Sequence, residues 1–294
     1  MFSIDKLRRA IKMDTMRIVA VATFVLFAGS AQAENLAIPY TFSSGTTIKS
    51  SEVNGNFDYL IQKLNAQKNI IDQLKRNSMI STDGLVAYYP FNGNANDESG
   101  NNNNGTVVGA SLTADRFGNA SSAYSFDGVG NYISVNSSAT IKFSSGFSIL
   151  AWVKSSGADT ANSIIAKGAS PSLYPDYRIG ADPDKICYEV NGTANQRYTE
   201  CGTTTFSLDS WVLLGMTFTP GEKTRLYVNG QKTEEFTSAP AARTSDNPMY
   251  IGAWRLPTDS NAVGHLFGGA IDDVRMYSRA IGDSEMAQIY NADR

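Results

Sequence analysis

Two clusters of oxygen-bearing side chains are the first candidates for chemistry. Asn92-Gly93-Asn94-Ala95-Asn96-Asp97-Glu98-Ser99 gathers carboxylates, amides and turn carbonyls in one compact loop. These are the donor types that a hard cation such as calcium collects in sets of about six to eight. Asp272-Asp273 supplies a second acidic pair inside GGAIDDVRMYSRAI. The loop spacing departs from the EF-hand pattern, so the same residues also read as ordinary turn formers.

Catalysis finds no template. A retaining pair of carboxyls must stand about 5 to 5.5 Å apart in one cleft, which alternate strand residues achieve and adjacent ones do not. Asp272-Asp273 and Glu234-Glu235 are adjacent, and no Glu in the chain opens an E-x-D-x-x-E run. His265 is the only imidazole, and neither a G-x-S-x-G elbow nor a P-loop is present. One His and two Cys cannot complete a multi-histidine zinc site within one subunit. A non-catalytic protein is expected, with a divergent glycoside hydrolase as the sharp alternative.

The N-terminus points to export. Residues 1–17 carry Lys6, Arg8, Arg9, Lys12 and Arg17, Ile18–Ala28 is apolar, and the stretch ends in Ala31-Gln32-Ala33. This is the pattern of a signal peptide, cleaved near Ala33, with Met1, Met13 and Met16 as possible starts. A secreted, periplasmic or cell-surface location follows. Removing residues 1–33 takes five basic and two acidic residues, leaving 20 against 26 and a formal charge of −6 instead of −3. That acidity argues against nucleic-acid binding, and no later apolar run is long enough to span a membrane. In an oxidising compartment Cys187 and Cys201, each seven residues from Ala194, are expected to form a disulfide across a hairpin. Closing this 15-residue loop stabilises by about 3 kcal/mol in the chain-entropy model.

The elements follow from periodicity. Residues 34–49 form an extended lead-in. Val53, Phe57, Leu60, Leu64, Gln67, Ile71 and Leu74 alternate at spacings of 4 and 3, which predicts a helical stalk over 50–78, with Ser50 or Ser51 as its cap. Its apolar stripe needs a partner: copies of itself, as a dimer or trimer coiled coil, or the following domain. Over 82–294 about a dozen short apolar runs, separated by Gly, Asn, Asp, Pro and Ser, predict an all-β fold, an antiparallel two-sheet sandwich or barrel. A short helix over Asp283–Tyr290 closes the chain.

GLVAYYPFNGNANDESGNNNNG, SFDGVGNYISV, FSILAWVK, WVLLGMTF, RLYVNG and GGAIDDVRMYSRAI, in this order, resemble the laminin G-like jelly-roll family of the concanavalin A-like lectin and glucanase superfamily. The resemblance implies two curved antiparallel sheets, a concave face that contacts carbohydrate, protein or lipid, and often a calcium ion that stabilises loops. It also implies that the terminal strands pair, which would bring Asp97 and Asp272 into one calcium site, with Asn92 and Asp273 as further ligands. Trp152, on the outward face of FSILAWVK, reads as a sugar-stacking platform or as core. Tyr174, Tyr177, Arg178, Trp254 and Arg255 are further candidates for the groove. SGTTIKSSEVNGNFDYLIQKL is also similar to the lead-in before helical stalks in some exported bacterial and tail-fibre-like proteins. The expectation is an exported recognition or adhesion protein that binds glycan or extracellular protein through a calcium-stabilised domain. A structural subunit of an extracellular appendage or tail-fibre-like assembly is the alternative.

Overall fold

The computed structural model describes residues 39–42, 47, 49–157, 162–170, 173–193, 196–255 and 263–294. The segment read as a signal peptide, most of the expected lead-in and the expected turn at Ala194 lie outside the described residues. The chain divides into two compact units, residues 1–69 and 70–294.

Helix α1 runs over Ser50–Met79. Lys49, rather than a serine, stands at its start: the Lys49 carbonyl accepts from the Glu52 N–H, and the Lys49 N–H donates to Glu52 Oε2 at 3.3 Å. Glu52 thus supplies the glutamate half of a capping box, while the Lys49 backbone carbonyl, not a cap side chain, takes the Glu52 N–H. In the first unit, Asn56 binds both backbone groups of Tyr40, accepting its N–H at 2.9 Å and donating to its carbonyl at 2.8 Å. Phe57, Leu60 and Leu64 stand exposed on the helix.

The second unit is built from strands β1 (Leu85–Tyr89), β2 (Gly105–Val108), β3 (Ser111–Thr113), β4 (Ala123–Asp127), β5 (Tyr132–Val135) and β6 (Phe147–Ser155). There follow β7 (Asn162–Ser170), β8 (Leu173–Ala181), β9 (Lys185–Asn191), β10 (Arg197–Thr205), β11 (Val212–Phe218) and β12 (Lys223–Val228). The last are β13 (Gln231–Thr237), β14 (Met249–Ile251), β15 (Trp254–Arg255), β16 (Val263–Gly264) and β17 (Gly268–Tyr277), before helix α2 (Asp283–Asp293). Eight strands form one antiparallel sheet in the order β13-β12-β11-β6-β17-β4-β3, with β1 also on β17. Seven form the other, β10-β9-β8-β7-β14-β5-β2. The terminal strands pair, as the resemblance implies: Tyr88 lies opposite Arg275 and Tyr89 opposite Val274.

Alternation explains the layers. In β6, Phe147, Ile149, Ala151 and Val153 enter the core between the sheets, together with Tyr177, Ile179, Tyr188 and Val190 of the facing sheet. The opposite face of β6 is not open. Leu150 and Trp152 join Leu213, Tyr227 and Tyr277 in a second cluster, capped by Met286, Ile289 and Ala292 of α2. The i, i+3, i+6 spacing of those three residues gives α2 the stripe that covers the outward face of the eight-stranded sheet. Cys187 and Cys201 lie directly opposite each other on β9 and β10 and are joined by a disulfide.

Candidate functional site

The outward face of the seven-stranded sheet carries the candidate binding surface. In β8 Tyr177, Ile179 and Ala181 belong to the core, so Asp176, Arg178 and Gly180 face outward. Register then sets a polar and aromatic row across the sheet: Ser134, Tyr250, Ala166, Arg178, Glu189 and Thr199 are successive cross-strand partners. Tyr132 meets Tyr250 edge-on with ring centroids 5.7 Å apart. Trp254, brought onto Ala166 by β15, stacks on the exposed His265 at 4.5 Å and lies 6.3 Å from Tyr174. Tyr174 is 44% exposed, and the Arg197 guanidinium sits 4.3 Å over its ring.

Beneath these rings the charges are paired. Glu189, fully buried, accepts from Arg197 Nη2 at 2.9 Å and from the Asn191 amide at 3.0 Å. Arg178, also buried, donates to Ser163 Oγ at 2.7 Å and to the Asn162 carbonyl at 2.9 Å. Burial pulls the Arg178 guanidinium down from its ordinary range, against the neighbouring Glu189 charge. Flat rings at several points of one face, over a rigid floor of paired polar groups, can stack on the faces of sugar rings and hydrogen-bond their hydroxyls.

The acidic clusters make a different centre. A cavity of about 60 Å³ is lined by Tyr88, Asn92, Glu98, Arg116, Asp272 and Asp273, among others. Adjacent strand residues were expected to point apart, but β17 bulges between Asp272 and Arg275, with φ +46° at Asp273. Both carboxylates therefore meet one guanidinium: Arg116 reaches Asp272 Oδ2 at 2.8 Å and Asp273 Oδ2 at 2.7 Å. Arg275 binds Asp293 at 2.5 Å, and the Tyr88 hydroxyl donates to Asp273 Oδ1 at 2.8 Å. Burial and the Asp273 charge push the Asp272 carboxyl well above the usual carboxylate range. Burial also pushes Asp273 up, but Arg275, Arg116 and the Tyr88 hydrogen bond together hold it below that range.

This donor set does not fit a calcium ion held by Asp97 and Asp272. Asp97 is spent on its own loop, Oδ1 accepting from the amides of Tyr88 and Ser99 and Oδ2 from that of Asn103, each at 2.9 Å. Asp272 Oδ1 accepts the Asp273 N–H at 2.7 Å, and its other oxygen faces Arg116. Asn92 and Asp273 share the cavity with Asp272, whereas Asp97 is not among its lining residues. A guanidinium already delivers positive charge at the point where the two clusters converge.

The expected groove residues divide. Trp152 is 4% exposed beneath α2, with Tyr290 stacked on it at 5.8 Å, so helix burial has taken the face a ligand would need. Tyr177 is inside the sandwich, its hydroxyl donating to the Ile141 carbonyl at 3.1 Å; the period-two alternation of β8 turns it inward. Arg178 and Trp254 lie on the outward side of the seven-stranded sheet but are themselves buried, 6% and 5% exposed, beneath the surface that Tyr174 presents. Tyr132, Tyr250, Arg197 and Glu189 were missed there; their signal was alternation, Tyr250 standing between the core residues Met249 and Ile251. Arg116, Arg275 and Asp293 were missed as well; a charge inside an otherwise apolar strand or helix pattern was the available sign for Arg275 and Asp293, whereas the loop that carries Arg116 gives none. A wider groove of about 360 Å³ opens on the eight-stranded sheet, floored by Gly269 and Ala270 and flanked by Lys154, Asp209 and Trp211.

Two antiparallel sheets with paired terminal strands define a jelly-roll sandwich. The pattern of the laminin G branch of the concanavalin A-like lectin/glucanases superfamily matches residues 127–287, and the chain belongs to this family. No curated protein sequence matches the chain. Among solved structures it is similar to the binding domain of Paraclostridial Mosquitocidal Protein 1 (18% identity, TM-score 0.58, covering 72% of this chain and 52% of that one). It is also similar to the receptor binding domain of botulinum neurotoxin C/D mosaic serotype (14%, TM-score 0.56, 72% and 52%). A third similar structure is Domain 4 of AbnA, a GH43 extracellular arabinanase from Geobacillus stearothermophilus, in complex with arabinotriose (19%, TM-score 0.55, 70% and 98%). The matched region of this chain spans about half the length of the two toxin domains.

Proposed function

We propose that the chain is an exported, non-catalytic recognition or adhesion protein whose laminin G-like domain binds glycan on the outward face of the seven-stranded sheet. The observation that carries this reading is the set of aromatic rings on that face, with the exposed Tyr174 held under Arg197 and Tyr250 beside Tyr132. The arabinanase domain, described as a complex with arabinotriose, and the toxin domains, described as binding domains, support a binding role. Export rests on the signal-peptide pattern of residues 1–33. The carboxylates that cluster are held by Arg116 and Arg275 rather than left to serve as acid and nucleophile.

The test is a glycan array probed with the protein and with Tyr174→Ala and Tyr250→Ala, each weakening binding at least tenfold, about 1.4 kcal/mol. A ligand whose binding is indifferent to both variants but lost in Trp211→Ala moves the site to the other sheet and overturns the assignment. Absence of any glycan signal favours the second reading, a subunit of an extracellular appendage or tail-fibre-like assembly. The exposed Phe57, Leu60 and Leu64 of α1 support that reading.

A further inference from the structure

The arginine that stands between the acidic clusters touches more of the fold than any surface ion pair requires. Nη1 and Nη2 of Arg116 bind Asp272 and Asp273 on β17, while Nε donates to the Asp293 carbonyl at the end of α2 at 2.6 Å. The guanidinium lies 4.6 Å over the Trp152 ring and 4.5 Å over that of Phe117. Its own loop is preset by Asp115, whose Oδ1 accepts the amides of Phe117 and Asn119 at 2.8 Å each. The side chains of Arg116 and Asp272 are 6% and 3% exposed.

We infer that Arg116 is this domain's covalent counterpart of a structural cation: its guanidinium occupies the position from which a metal ion would tie the 115–119 loop to β17 and to the end of α2. The charge balance supports this. Asp272, Asp273 and Asp293 face Arg116 and Arg275, three carboxyls against two guanidinium groups, so taking Arg116 away leaves an oxygen-lined hole with more carboxyls than cations. A planar fork suits the task because it addresses two carboxylates and a carbonyl at once, which the point charge of a lysine does not. Burial makes the loss of one partner costly, since the carboxyls left behind lose the guanidinium that offsets their desolvation.

The experiment compares thermal melts of the protein, Arg116→Ala and Arg116→Lys in chelator and in millimolar calcium. The unsubstituted protein is expected to melt at the same temperature in both, whereas Arg116→Ala falls by roughly 6–20 °C in chelator, the shift expected for breaking a buried pair in a domain of this size. Calcium is expected to recover at least half of that loss, because an ion bound only by the folded state raises its stability. Arg116→Lys is expected to lie between the two in chelator and to respond less to calcium; if the alanine variant does not fold, the lysine variant and the double variant Arg116→Ala/Asp272→Asn carry the comparison. A melting temperature of the unsubstituted protein that drops in chelator overturns the inference, as it reveals a resident metal. So does an Arg116 variant that melts like the parent, or one that is destabilised and indifferent to calcium.

Discussion

Tyr290 of α2 lies on the indole of Trp152, ring centroids 5.8 Å apart and planes inclined by 23°. The contact fastens the last helix to the centre of β6, and Met286 and Ile289 bury against Leu150 and Leu213 around it. Stacked aromatic pairs add about 0.5–1.5 kcal/mol to what burial alone provides.

Tyr290→Ala is therefore expected to lower stability by about 1–2 kcal/mol, and Trp152→Ala by roughly 3–5 kcal/mol, since the latter also opens a cavity under the helix. Denaturant melts of the two variants check this. Equal effects would mean that α2 contributes little to covering the sheet.

Trp152 also shows what was and was not legible in the chain. Alternation in FSILAWVK correctly placed bulky apolar residues on both faces of the strand, and from that both a covered core and an open groove followed. The deciding element, α2, sits more than 130 residues later, and its stripe of Met286, Ile289 and Ala292 is too short to announce which surface it covers. The Cys187–Cys201 disulfide was readable because its hairpin is local. The Asp272–Asp273 geometry was not, because a bulge in β17 changes the direction of one side chain, and Arg116, which needed that bulge, lies on a loop with no periodic signal. Two of the outward rings of the seven-stranded sheet escaped for a related reason: Tyr132 and Tyr250 come from separate runs, and register alone brings them together.

The disulfide joins facing residues of β9 and β10, with β10 at the sheet edge. Replacing both cysteines by serine is expected to cost about 3 kcal/mol through the freed 15-residue loop of the unfolded chain. Reduction of the unsubstituted protein should reproduce that loss, and a reductant-insensitive midpoint of unfolding would show that strand pairing alone holds the edge.

Glu234 closes the sandwich on the same side. From β13 its Oε1 accepts the amides of Thr203 and Thr204 at 2.8 and 3.1 Å, and both hydroxyls, across on β10. Burial pushes this carboxyl up, but the hydrogen bonds of Thr233, Thr203 and Thr204 outweigh it and hold it down at about 2. A group lowered on folding stabilises above its unfolded value and ceases to do so as pH falls through the folded one. Stability should thus decline between about pH 4.5 and pH 2, and Glu234→Gln should flatten that part of the profile. Parallel pH titrations of the two proteins check it; superimposable curves would remove Glu234 from the acid response.

The stripe on α1 leads to the last expectation. Phe57, Leu60 and Leu64 are 40%, 37% and 60% exposed, and they fall on the 3-and-4 spacing of coiled-coil core positions. An apolar row of this kind on a helix of 30 residues gains stability only by finding a surface, and identical rows on copies of the chain supply one of matching period. Sedimentation at micromolar concentration should give a dimer or trimer. A charge at the centre of the row, Leu60→Glu or Leu64→Glu, should shift the population to monomer while leaving the melt of the β domain in place, since the jelly-roll core contains none of these residues. A protein that is monomeric before substitution sinks the stalk, and with it the reading of the chain as a subunit assembled through this helix.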